Sequence, residues 1–171
     1  MAIPGFIIMQ VSFLISLKRD PLSFIKRTPV RTFLLYPLIT LAWEHWLTGG
    51  KLTYQIPFLL LMLWGYLQYR FCGRLRTKLG GGGPGLETPP EGLVTSGLYA
   101  FTRNPMYLGH IIFLMGLAGT LRSLFAVVLG VTVAFWFHSR VLCDERKLAE
   151  RFGRPYLEYK TKVKRWIPGI C

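Results

Sequence analysis

Acidic residues are scarce in this chain. Eight Asp and Glu stand against 21 Lys and Arg in 171 residues, a formal charge of +13. Cysteine is scarcer: Cys72, Cys143 and Cys171 fit no zinc-ligand spacing, so no metal centre is expected. Cys171 ends the chain without the residues of a prenylation signal. The glycine run Gly80 to Gly83 lacks the Gly-Lys-Ser/Thr ending of a phosphate loop, and no strand precedes it. It also fails the dinucleotide fingerprint and reads as a linker. No basic residue precedes the first apolar block, which argues against a signal peptide. Such an excess of basic charge raises nucleic acid as a partner. The distribution excludes it: the apolar residues form long blocks and the charges lie between them, the pattern of membrane spans.

Half the residues are hydrophobic. Five candidate spans emerge: Ile3 to Leu17, Thr32 to Leu47, Ile56 to Tyr69, Pro105 to Gly119 and Ser123 to Phe137. Each is short against the ~20 residues of a full crossing, so flanking residues must snorkel or the bilayer thin. The expected fold is all-α, an integral membrane bundle of about five helices with a short helical C-terminal tail. The positive-inside rule supports an odd number of crossings. Lys18, Arg19, Lys26, Arg27 and Arg31 follow the first block, and Arg70, Arg74, Arg76, Lys78 and Arg103 follow the third. A further run from Arg140 to Arg165 follows the fifth, whereas the opposite side holds only Lys51 and Arg122. The N-terminus is therefore expected outside and the C-terminus in the cytoplasm, where Cys72 and Cys143 stay reduced.

Residues 1–70 read as a scaffold of three spans and 71–171 as the functional region. Pro37 and Pro57 are expected to kink or begin helices. Glu44 and His45 are expected to reach the outer interface and be solvated. Gly109, Gly116 and Gly119 suit close helix approach within a membrane. His110, one turn into the fourth span, is either a functional group or a structural hydrogen-bonder.

The stretch Gly97 to Gly109 organises that region, because a polar loop there turns into an apolar helix. Asn104 suits the N-cap and Pro105 the first helical position. Arg103 then lies beside the positive end of the helix, where an anion would meet a guanidinium and free N–H groups. The alternative is an interfacial arginine that snorkels to water. Beyond the fifth span, Arg140, Asp144, Glu145, Leu148 and Phe152 are expected on a continuing helix, with Leu148 and Phe152 on the face of Glu145. Gly153 reads as its stop, and Arg154-Pro155-Tyr156 as the start of another short helix. The basic run Lys160 to Arg165 and Trp166 read as a lipid-surface anchor.

Three blocks carry a resemblance: Leu93-Val94-Thr95-Ser96-Gly97-Leu98-Tyr99, then Arg103-Asn104-Pro105-Met106-Tyr107-Leu108-Gly109, then Asp144-Glu145 with Leu148, Phe152-Gly153, Tyr156 and Tyr159. In order and spacing they resemble the isoprenylcysteine carboxyl methyltransferase superfamily, which includes phospholipid methyltransferases. The resemblance implies a multi-span enzyme that moves a methyl group from S-adenosylmethionine to a lipid or lipidated acceptor, carboxyl O-methylation being favoured. By position the cofactor contacts would be Glu91, Gly92, Leu93, Val94, Tyr99, Arg103, Asn104, Pro105, Met106, Tyr107 and Asp144. Arg140 would match the substrate-binding arginine, and Glu145 would serve as the base if the acceptor were an amine. Three departures stand out: Asn104 where the family usually has His, Asp144 where it has Glu, and Lys162 where many members have Arg. The alternatives are phospholipid or amine N-methylation, an NADPH-dependent reductase of sterol-reductase architecture, and a non-enzymatic membrane module.

Overall fold

A computed structural model describes residues 25–83 and 85–167. The first apolar block, Ile3 to Leu17, and Cys171 lie outside the described residues. The described residues form helices and no strands. Helix α1 (28–47) comprises Thr28–Val30, a π-helical turn Arg31–Leu35 and Tyr36–Leu47. The widened turn lies just before Pro37, whose ring would clash with the carbonyl four residues back in a regular helix. Helix α2, Ile56–Gly80, begins with Pro57 in its first turn, and runs eleven residues past the expected end of the third span. Helix α3, Pro105–Leu121, and α4, Leu124–Phe152, form an antiparallel hairpin. Helix α5 is Arg154–Lys162.

The hairpin turn is tight. Arg122 closes α3 in the left-handed region at φ 50°, and Ser123 caps α4 by accepting the Ala126 N–H at 3.0 Å. The Ser123 hydroxyl then donates to Glu44 Oε1 at 2.6 Å. Glu44 is therefore buried and hydrogen-bonded, not solvated as its position in the sequence suggests. At the other end, Gly153 stops α4 with φ 57° and its N–H returns to Ala149.

The core is built on an α2–α3 contact made of backbone. A Cβ on Gly65 would lie 2.6 Å from the Gly109 carbonyl oxygen, one on Gly109 2.8 Å from that of Gly65, and one on Gly116 2.6 Å from the Met62 nitrogen. The α3 glycines thus serve contact with α2, not with the hairpin partner α4. Around this seam Leu114, Leu117, Phe137 and Val141 are fully or almost fully buried. His110 is wholly buried, stacked on Phe33 at 4.6 Å, and neither ring nitrogen has a hydrogen-bond partner among the described residues. The outer surface carries Leu38, Trp46, Leu60, Leu124 and Phe135, a pattern suited to lipid. By length and composition, α4 is the one described helix long and apolar enough to cross a membrane; α3 is apolar but has 17 residues.

Candidate functional site

Where α3 begins, α4 runs on past it and the chain must close over both. Between them lies a cleft of about 370 Å³. One wall is Tyr99 and the start of α3, Asn104 to Tyr107. The facing wall is one stripe of α4, made by Arg140, Asp144, Lys147, Leu148 and Arg151 at helical spacing. Leu86, Glu87, Pro89, Pro90, Leu93 and Val94 form a third side over Arg76, and Tyr156 and Tyr159 of α5 form the fourth.

The two main walls meet at one contact. The Tyr107 hydroxyl donates to Asp144 Oδ2 at 2.7 Å. Asn104 stands at the N-cap and Pro105 at the first turn, but the Asn104 side chain makes no cap. Its Nδ2 donates instead to Glu145 Oε1 at 3.2 Å and to the Arg165 carbonyl at 3.3 Å. The first-turn N–H groups of α3 are therefore left without a side-chain acceptor, on the wall of the cleft.

Asp144 and Glu145 part company. Asp144 faces the cleft, whereas Glu145 is buried behind it and does not line it. Glu145 is bracketed by Arg103 at 3.3 Å and Arg165 at 3.1 Å. Arg103 lines the cleft, yet its charge is committed to Glu145, which corrects the expectation of a guanidinium open to an anion. Glu91 and Gly92 also lie off the cleft. Their backbone N–H groups both donate to the Gly80 carbonyl at 2.7 Å, which folds the loop onto the end of α2. The remaining expected residues, Leu93, Val94, Tyr99, Asn104, Pro105, Met106, Tyr107, Arg140 and Asp144, all line it.

Several lining residues gave no signal in the sequence. Arg76 is buried and one of its guanidinium nitrogens donates to the carbonyls of Gly83 at 2.8 Å, Thr88 at 2.9 Å and Gly85. The glycine-rich linker is thus gathered around a cation, and the segment that follows it, from Leu86 to Val94, forms a wall of the site. Glu87 accepts the Thr28 N–H at the start of α1 at 2.8 Å. Tyr156 and Tyr159 belong to the third block of the resemblance but are not among the expected contact residues. The Tyr159 hydroxyl donates to the Tyr99 carbonyl at 2.6 Å, while that of Tyr156 is buried without a partner.

Charge and burial keep the tyrosine rim neutral. Burial first, then the Glu145 carboxylate, pushes the Tyr156 phenol up to about 12. Burial likewise holds Tyr99 and Tyr159 well above the ordinary phenol range. These rings act as aromatic surface and O–H donors, not as phenolates. The basic segment after α5 closes the site: the Arg103 N–H donates to the Lys164 carbonyl at 3.0 Å and the Thr102 hydroxyl to the Arg165 carbonyl at 3.0 Å.

Comparison with known proteins places this geometry. A protein-S-isoprenylcysteine O-methyltransferase of Xenopus laevis is 40% identical over 80 residues, 46% of this chain and 27% of that protein. The like-named protein of Saccharomyces cerevisiae is 37% identical over 79 residues, 46% of this chain and 33% of its own length. Protein-S-isoprenylcysteine O-methyltransferase B of Arabidopsis thaliana is 35% identical over 79 residues, 46% of this chain and 40% of its own. The match thus spans a quarter to two fifths of these relatives. The profile of the phospholipid methyltransferase family matches residues 59–154, more than half of the chain and every helix wall of the cleft except α5. The chain belongs to the phospholipid methyltransferase family.

Proposed function

We propose that the protein is a membrane-embedded, S-adenosylmethionine-dependent methyltransferase whose acceptor carries an apolar tail, and that it methylates a carboxylate. The observation that supports this most is the Tyr107–Asp144 contact at 2.7 Å across a cleft of about 370 Å³. That volume lies within the range of small-molecule sites. The lining suits the donor on observations of this chain. Asp144 presents a carboxylate to an ammonium, and the uncapped first turn of α3 presents N–H groups to a carboxylate. Tyr99 and Tyr107 offer rings to an adenine or a cation. The Tyr156 hydroxyl is a buried donor that lacks an acceptor. When bound, S-adenosylmethionine supplies an electrophilic methyl group on a sulfonium.

The chain's own residues do the rest by position. Tyr107 fixes the Asp144 carboxylate in one rotamer. Arg140, one helical turn before Asp144, holds the acceptor on the same wall. A carboxylate acceptor is already ionised near neutral pH and needs no base, and the structure provides none from Glu145, whose oxygens are taken by two arginines. We read Glu145 as a positioning residue that holds Arg103, Asn104 and the closing tail. With α4 crossing the bilayer, the basic end carrying the cleft lies in the cytoplasm.

Arg140→Ala should abolish turnover and leave cofactor affinity within about twofold, because it removes the acceptor contact and the Thr28 hydrogen bond but none of the groups assigned to the donor. Incubation with labelled S-adenosylmethionine and total membrane lipid tests the reaction class. Label in a base-labile species supports a carboxyl ester. Label only in base-stable species would sink that reading.

A further inference from the structure

Arg31 belongs to the N-terminal part of the chain, which reads as scaffold. The π-helical turn of α1 places it beside Trp136 and Arg140; Arg140 lines the cleft, and Arg31 and Trp136 flank it without lining it. The guanidinium carbon of Arg31 lies 5.0 Å from the centre of the Trp136 ring, and that of Arg140 lies 5.5 Å from the same ring. Stacking on an indole pins a guanidinium by its face and leaves its N–H edges free to bind an anion. Trp136 is 41% exposed in the last turn of the expected fifth span, so this cluster opens at the membrane boundary. Arg140 also reaches the cleft and donates to the Thr28 hydroxyl at 3.3 Å, tying the start of α1 to the site.

Among the described residues no carboxylate forms a direct ion pair with either cation. The ion pairs among the described residues join Arg103 and Arg165 to Glu145 and Arg154 to Glu158, none of them Arg31 or Arg140. Glu87 is turned to the Thr28 N–H and Asp144 to Tyr107. The Nε of Arg31 is buried without an acceptor. Two guanidiniums on one ring, partly withdrawn from water, repel unless an anion joins them, and a buried donor lacks its partner until one does.

We propose that Arg31 is a specificity-determining residue: with Arg140 and Trp136 it forms a seat for the carboxylate of an apolar-tailed acceptor and rejects an amine. This rests on the methyl-transfer reading above and adds to it the reason an anionic acceptor is chosen. An ammonium headgroup there would face two positive charges, whereas a carboxylate accepts from both.

Two measurements on the full chain in phosphatidylcholine vesicles test it. The first is steady-state transfer to an S-alkylated N-acylcysteine from labelled S-adenosylmethionine. Arg31→Ala should raise KM about ten- to a hundredfold, the loss of a charge-assisted contact, with kcat little changed. Arg31→Lys should recover part of it, and cofactor affinity should not move. The second needs no turnover: a brominated fatty acid quenches indole fluorescence where it binds. The wild type should bind it more tightly than its methyl ester, Trp136→Phe should remove the part of the quenching that differs between acid and ester above the background from the other exposed indoles, and Arg31→Ala should erase the preference for the free acid. An unchanged KM together with an unchanged preference in Arg31→Ala would overturn the seat. So would an equal loss of preference on adding anionic phospholipid to every variant, which would mark a surface-charge effect. If no carboxylate is methylated while the preference still depends on Arg31, the methyl-transfer reading falls and the seat stands.

Discussion

Asp144 and Glu145 are neighbours in the chain, and a helix turns them about 100° apart. That rotation decides their work. Asp144 looks into the cleft and is held by Tyr107. Glu145 is buried between Arg103 and Arg165, with side-chain exposures of 5%, 8% and 25%. Asp144→Asn should weaken cofactor binding about tenfold while leaving stability nearly unchanged, since the amide oxygen can still accept from the Tyr107 hydroxyl and only the charge offered to the ligand is lost. Glu145→Ala should instead cost about 3 kcal/mol of stability by stranding the buried Arg103 cation and freeing the half-buried Arg165. Denaturant melts in detergent beside cofactor titrations separate the two, and swapped outcomes would reverse the assignment. Cys72 offers a test of burial. Desolvation pushes its thiol up from 9.0 to about 12. Because the native value is raised, the neutral thiol's contribution is complete below pH 9 and is lost as pH climbs towards 12. The wild type should therefore begin to lose stability above about pH 9, and Cys72→Ala should move that onset towards the phenol range. At mildly alkaline pH an alkylating reagent should modify exposed Cys143 and spare Cys72 until the chain unfolds.

At the scale of elements, the α2–α3 seam is the rigid part. Its glycines face backbone atoms, which cannot yield as a side-chain tip can. Gly65→Ala and Gly109→Ala should each destabilise by about 1–3 kcal/mol through overpacking. Gly130→Ala is the control: its Cβ would meet only Leu114 Cβ at 3.6 Å, an ordinary contact, so the change should be neutral or stabilise by about 0.5–1 kcal/mol. Equal melting temperatures for all three variants would show that the seam is looser than its geometry. The far end of the bundle is locked by the Ser123 cap, which serves α4 and satisfies Glu44 at once. That double duty explains why an acidic residue there can be buried. The Pro105 start of α3, the Gly153 stop and the α5 start at Arg154 are all legible in the sequence, because caps and stops depend on neighbouring residues alone. So is the continuation of α4 to Phe152, but the eleven-residue extension of α2 past Tyr69 is not, since Arg70, Arg74 and Arg76 end the apolar signal without ending the helix.

At the scale of the whole molecule, the proposal sets the basic end with the cleft in the cytoplasm and the Gly49–Lys51 turn outside. A single cysteine placed at Lys51, in a chain whose own cysteines are replaced, should react with a membrane-impermeant reagent added outside sealed cells. One placed at Lys160 should react only after permeabilisation. The reverse pattern would invert the topology and remove the cleft from the cytoplasmic cofactor pool.

The sequence by itself determined the all-helical class, the breaks between helices and part of the two main cleft walls: Tyr99, Asn104 to Tyr107, Arg140 and Asp144. Each follows from local rules or from motif blocks short enough to be read along the chain. Only the tertiary structure decided the rest: that Arg76 gathers the glycine linker around itself, that Glu145 is locked away from the cleft, that Glu44 is buried, and that Arg31 meets Arg140 across one indole. Those outcomes depend on contacts between residues far apart in the chain, among them Glu44 with Ser123 and Arg31 with Trp136. No pattern along the sequence encodes which helix faces will meet, because that choice is made by close packing of the folded bundle.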